Sequence, residues 1–227
     1  MANERRRLPA GMDPRSYRKG QDTYRRVFGH ERDMSEALEF DYLTVEHVYG
    51  RIWSRTRGGL SLPDRSFITV AVNAALRREQ ELAIHLRAAR SQGLTGEQVL
   101  AILLLVGEVA GAEALAEALR VVRTQRPPIA MRALTPWLAP EQERLVRLAL
   151  LAACGTEAQV RAFHERRKRE LKGGAARAKY FALVVEVMIH VAHYAGWPAG
   201  HNGLRPARAA FPREYRAALG STPERKK

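Results

Sequence analysis

LPDRSFITVAVNAALRREQELAIHLRAARSQGLTGEQVLAILLLV, residues 62–106, decides the fold class. Ser61 precedes it, with Pro63 in the first turn and Asp64 three residues after the serine, a helix N-terminal signature. That helix runs through PDRSFITVAVNAALRREQ. A second helix carries Glu81, His85 and Arg87 and stops at Gly93. A third starts with Thr95 as N-cap and Gln98 closing a capping box, while Leu94 and Val99 form a hydrophobic staple across it. No segment alternates convincingly as a strand does, so the spacing predicts an all-α helical bundle.

Outward from this stretch the plan recurs. Residues 124–140, TQRPPIAMRALTPWLAP, are proline-rich without long periodicity and read as a linker. EQERLVRLALLAAC, 141–154, is an amphipathic helix, and Gly155-Thr156 breaks and caps. EAQVRAFHERRKREL, 157–171, is a second helix with His164, ending at Gly173-Gly174. A long apolar helix follows through FALVVEVMIHVAHYAG, and Pro198 starts another. Each half thus has an apolar helix, a histidine-bearing helix, a glycine stop and a long apolar helix, the pattern of a diverged duplication. The expected divisions are a flexible basic arm at 1–20, a first repeat with N-terminal helices at 21–123, the linker, a second repeat at 141–210, and a basic tail at 211–227.

These residues resemble the carboxymuconolactone decarboxylase family, which also contains the alkylhydroperoxidase-D-like proteins. Leu62–Val106 is similar to the body of that family's domain, IWSR at 52–55 to the lead-in of its decarboxylase branch, and EVMIHVAHYAGWPAGHNGL at 186–204 to its second signature. The resemblance covers most of 40–123 and 141–208. VAGAEAL, 109–115, departs from the family's YCGxPAA turn: Glu113 stands where proline is usual, and the tyrosine and cysteine are absent. The resemblance implies two diverged repeats, and a homotrimer of double-domain chains that mimics a hexamer of single domains.

The same resemblance defines the chemistry to expect. A thiol peroxidase needs a cysteine pair, and Cys154 is the chain's one cysteine, so that activity is excluded. What remains is a cofactor-free carbon–carbon lyase, a decarboxylase of a cyclic unsaturated or aromatic-derived carboxylic acid. An aromatic-catabolic or natural-product pathway would suit it. Such a site must hold a carboxylate, stabilise an enolate oxygen and protonate carbon, the last by a histidine tuned near neutral pH.

HVAHYAGWPAGHNGLRPAR, 190–208, supplies most candidates. His190 and Tyr194 are four apart on one helix face, and His193 flanks them. His190 and His193 are the expected acid/base groups, with His85 and His164 as further catalytic histidines. Tyr194, Trp197, His201, Asn202, Glu81, Glu186 and Arg87 are the expected substrate-binding set. Trp197 would form an apolar wall, Glu186 would orient His190, and Arg87 would meet a carboxylate. A single histidine on an apolar helix is more often a hydrogen-bonded core residue, but three within twelve residues favour a site. The rival is a metal held by His164, His190, His193 and His201, in an oxygenase or ring-modifying enzyme. A non-catalytic assembly module is the other alternative.

The formal net charge of +14 and pI of 10.7 suggest nucleic acid or acidic ligands. The cations are mostly arginines scattered among glutamates, and only ERRKREL at 165–171 is dense, as a solvated helix face would be. No nucleic-acid-binding motif accompanies them, so nucleic acid is not the expected partner. The N-terminus, MANERRRLPAG, lacks the apolar run of a signal peptide, and Glu108, Glu113 and Glu117 interrupt the longest apolar stretch. A cytoplasmic protein that does not enter a membrane is expected.

Overall fold

The computed structural model describes residues 8–129 and 135–220, the side chain of Arg57 apart. The middle of the expected linker, 130–134, lies outside the described residues. The described chain is helical throughout, without strands. Among the described residues no helix is long and apolar enough to cross a membrane. Contacts divide the chain into two compact units, Met1–Arg55 and Thr56–Lys227. Their boundary falls inside the 21–123 span read as one repeat.

The first unit holds α1 (Pro14–Phe28) and α2 (Glu39–Leu43), which continues as a π-helix, Thr44–Trp53. Asp13 caps α1, accepting from the backbone N–H groups of Arg15 at 3.1 Å and Ser16 at 3.3 Å, and Pro14 opens the first turn. Residues 14–20, expected in a loose arm, are therefore helical. A Cβ on Gly20 would lie 2.0 Å from the Val45 carbonyl oxygen, and one on Gly50 would lie 2.1 Å from that of Ser16. Only glycine lets these two backbones cross so closely. Leu38, Phe40 and Leu43 are exposed.

The second unit contains α3 (Leu62–Ala75), α4 (Glu79–Ser91), α5 (Gly96–Ala110), α6 (Ala112–Thr124), α7 (Pro140–Cys154), α8 (Glu157–Glu170), α9 (Gly174–Ala195), α10 (Trp197–Ala210) and α11 (Pro212–Gly220). The last lies in the expected C-terminal tail. The expected caps form. Ser61 accepts from the Asp64 N–H at 3.2 Å while Asp64 accepts from the Ser61 N–H at 3.2 Å. Thr95 and Gln98 exchange the same pair of bonds at 3.0 and 3.3 Å. Thr156 and Gln159 make a third box.

Helix order and packing run twice. The third helix of each run packs on the first helix of the other, α3 on α9 and α5 on α7. The third and fourth helices of each run meet at a glycine of nearly equal geometry, Gly111 (φ 93°, ψ 169°) and Gly196 (φ 87°, ψ 157°). The apolar core joins Phe67, Val70 and Ala74 of α3, Leu82 and Leu86 of α4, Ile102 and Val106 of α5, Val121 of α6, and Val146 and Leu150 of α7.

Candidate functional site

α3 carries an unusual stripe. Arg65, Thr69 and Asn73, spaced four residues apart, are all fully buried on α3. Arg65 and Thr69 lie on the side that meets α9. Arg65 pairs with Glu186 at 3.3 Å, and both side chains are almost wholly out of solvent. A buried ion pair of this kind tolerates the loss of neither partner, because the survivor is a desolvated charge.

Arg65 also approaches His190 Nδ1 at 3.5 Å, and Thr69 Oγ1 lies 2.8 Å from His190 Nε2. A guanidinium can only donate, so in its contact with Arg65 the Nδ1 atom is the acceptor, which leaves the imidazole proton on Nε2 beside Thr69 Oγ1. Burial, then the charge of Arg65, then His193 and His85 hold the His190 pKa well below the ordinary value of 6.5. His190 is thus a neutral imidazole with both nitrogens engaged.

Tyr194 is the hub of the remaining rings. Its centroid lies 5.3 Å from His190, 4.6 Å from His193 and 5.5 Å from His85, the last two edge-on. Its hydroxyl reaches His85 Nε2 at 3.5 Å. Burial, with a contribution from His193, lowers the His85 pKa to about 4. Neutral His85 therefore makes no ion pair with Glu81 at neutral pH, although the two stand 3.8 Å apart. His193 is half-buried and Glu81 is exposed, so the cluster reaches solvent on that side.

Two local features hold α9 in place. Gly58 has φ 69°, and a Cβ there would meet the Ala182 carbonyl oxygen at 2.7 Å and Glu186 Cγ at 2.8 Å. Backbone thus closes directly over Glu186. At the other end, Arg78 donates to the Tyr194 carbonyl.

The expected site residues therefore separate. His85, His190, His193, Tyr194, Glu81 and Glu186 come together. Glu186 is linked to His190 through Arg65, which pairs with the carboxylate and approaches His190 Nδ1. His164 stands elsewhere, bonded through Nδ1 to the Tyr180 hydroxyl at 3.0 Å and through Nε2 to the Gly203 carbonyl at 3.3 Å. Tyr180 is ten residues before His190 on α9, about 15 Å along the helix. Burial lowers the His164 pKa to about 4, partly opposed by the Gly203 carbonyl. It is a satisfied core histidine.

Asn202 caps the end of α7, donating to the Ala152 and Gly155 carbonyls at 3.2 Å each. Trp197 is 66% exposed and forms no wall, and His201 and Arg87 are exposed as well. Gly200 and Gly203 let α10 press onto α9, where a Cβ on Gly203 would overlap Met188. The four-histidine metal set is not assembled, and among the described residues no group of three or more His, Cys, Asp or Glu is arranged to hold a metal ion.

Sequence reasoning missed Arg65 and Thr69. Their signal is a four-residue polar spacing inside a buried helix, where a solvated charge has no place.

Residues 39–124 match the model of the carboxymuconolactone decarboxylase family. A 4-carboxymuconolactone decarboxylase from Acinetobacter baylyi is 31% identical over 109 residues, covering 48% of this chain and 78% of the relative. The family match contains Arg65, Thr69, Glu81 and His85; Glu186, His190, His193 and Tyr194 lie beyond it and complete the same cluster. With this site carried partly by the matched segment, and with that identity over most of the relative's length, the chain belongs to the carboxymuconolactone decarboxylase family.

Proposed function

We propose that this chain is a cofactor-free decarboxylase of a small cyclic unsaturated carboxylic acid. The observation that carries the reading is the convergence of His85, His190 and His193 on Tyr194 beside the buried Arg65–Glu186 pair. The relative's name supports a lactone acid as the substrate class.

The chemistry divides among the residues by exposure. Cleavage of the bond to the carboxylate releases CO2 and leaves its electron pair conjugated to a carbonyl as an enolate. The Tyr194 hydroxyl, 3.5 Å from His85 Nε2, is the group that donates to the enolate oxygen. His193, half-buried at the edge, then gives a proton to carbon and regains one from solvent. The sum is one carboxylate and one proton in, one CO2 and one C–H bond out. His190 cannot share the proton transfer, because it is neutral and both its nitrogens are occupied. It positions α9 against Thr69 and Arg65.

The two helix runs support descent from a duplicated domain, in which α9 of the second run completes the site of the first. Purified protein given 4-carboxymuconolactone should release CO2, with turnover unaffected by exhaustive chelation. His193→Gln should lower kcat by about 100-fold or more, the usual scale for a lost acid/base group. Full activity in that variant contradicts the assignment of His193; loss of turnover on chelation contradicts the cofactor-free account.

A further inference from the structure

Asn73 is fully buried, and neither its amide nitrogen nor its amide oxygen has a hydrogen-bond partner. A buried polar group without a partner is costly to the fold, and native cores keep few of them. The third member of the α3 stripe therefore calls for an explanation that Arg65 and Thr69 do not.

Helix geometry shows where it points. At about 100° per residue, and with Arg65 at zero, Thr69 lies near 40°, Asn73 near 80° and Ser66 near 100°. Arg65 and Thr69 face α9, through Glu186 and His190. Ser66 faces α4, through Gln92 at 2.8 Å. Asn73 thus faces between the α4 and α9 directions, toward the place where His85 and Tyr194 meet.

Its level agrees. Arg65 meets Glu186, Thr69 meets His190 and Arg78 meets the Tyr194 carbonyl, so α3 and α9 advance together. One turn past Thr69, Asn73 is level with Tyr194, one turn past His190. The Asn73 carbonyl also accepts from the N–H of Arg78, whose guanidinium holds the Tyr194 carbonyl.

We infer that Asn73 is a substrate-binding residue, whose side-chain amide donates to a carboxylate or carbonyl oxygen of a small acid lodged beside Tyr194. Its amide oxygen accepts from a hydroxyl of the ligand or from water that enters with it. This rests on the reading of the cluster as a site for a small unsaturated acid. The protein itself leaves the amide unsatisfied, a cost to stability that binding recovers.

The experiment compares the full chain with Asn73→Leu, an apolar side chain of similar size, and with Asn73→Ala. Three quantities are read: the thermal midpoint without ligand, its shift on adding 4-carboxymuconolactone, and kcat/KM for that compound. The expected result is a midpoint unchanged or raised in Asn73→Leu, with kcat/KM down at least 10-fold in both variants and the ligand-induced shift lost. Loss of the shift in a protein that binds the compound without turning it over also supports Asn73, while contradicting the decarboxylase reading. A strongly lowered ligand-free midpoint in Asn73→Leu overturns the inference, since the amide would then serve the fold. So does kcat/KM or a ligand shift within twofold of wild type in Asn73→Ala, and so does failure of the wild-type chain to bind the compound at all.

Discussion

The α3–α9 and α5–α7 crossings occupy matching places in the two helix runs and differ in what they bury. At α3–α9 a charged pair, a threonine and a histidine are sealed from solvent. At α5–α7 the buried residues are apolar, Ile102, Val106, Val146 and Leu150, and the ion pair is Arg147–Glu108 at 2.8 Å with both side chains partly exposed. The α5–α7 crossing shows that such a contact packs well on aliphatic groups alone. Polarity at α3–α9 is therefore not demanded by helix packing alone, and the proposed function accounts for it.

The histidine helices differ in the same sense. His85 reaches across to Tyr194 of the other run, whereas His164 stays with Tyr180 and Gly203 of its own. One faces a cluster with an opening to solvent; the other faces a closed core.

The largest effect expected from this comparison is on Arg65. Arg65→Met alone should cost about 3–5 kcal/mol of unfolding free energy, because it strands Glu186 as a buried charge. Denaturant titration of the single variant and of Arg65→Met/Glu186→Leu checks this, with the double variant expected near wild-type stability. Next is His164→Ala, which should lose about 2–4 kcal/mol through the cavity and the two broken hydrogen bonds. Its kcat at low temperature should stay within a few-fold of wild type; a large fall would draw His164 into the site.

Acid should act on both regions at once. His85 and His164 titrate at about 4 when folded and near 6.5 when free, and His190 is shifted in the same direction. Between those values the unfolded chain binds more protons, so stability is full above pH 6.5 and is lost as pH falls toward 4. A thermal midpoint that does not fall between pH 6.5 and 4.5 would contradict the burial of these rings. The smallest effect is expected at the other crossing: Arg147→Ala should change stability by about 1 kcal/mol or less.

Much of this molecule is legible in its sequence because caps and breaks are local. Ser61 with Asp64, Thr95 with Gln98, and the glycines before α6 and α10 mark helix ends through contacts a few residues long. The ring cluster was half legible: His190, His193 and Tyr194 sit on one helix, but their partners Arg65 and Thr69 lie more than 120 residues away. In a chain this rich in arginine, Arg65 reads as one more solvated cation, and only tertiary contact shows otherwise. Asn202 and Trp197 misled for a related reason. Proximity in sequence to His193 placed them at the site, whereas α10 turns one onto the end of α7 and the other into solvent.

The most direct test sets the two crossings against each other in one assay. Arg65→Met/Glu186→Leu and Glu108→Ala/Arg147→Ala are each compared with wild type for CO2 release from 4-carboxymuconolactone, after circular dichroism shows that both are folded. The account predicts at least a 100-fold loss of kcat/KM in the first variant and less than a threefold change in the second. Retained activity in the first, or loss confined to the second, would contradict the placement of the working site between α3 and α9.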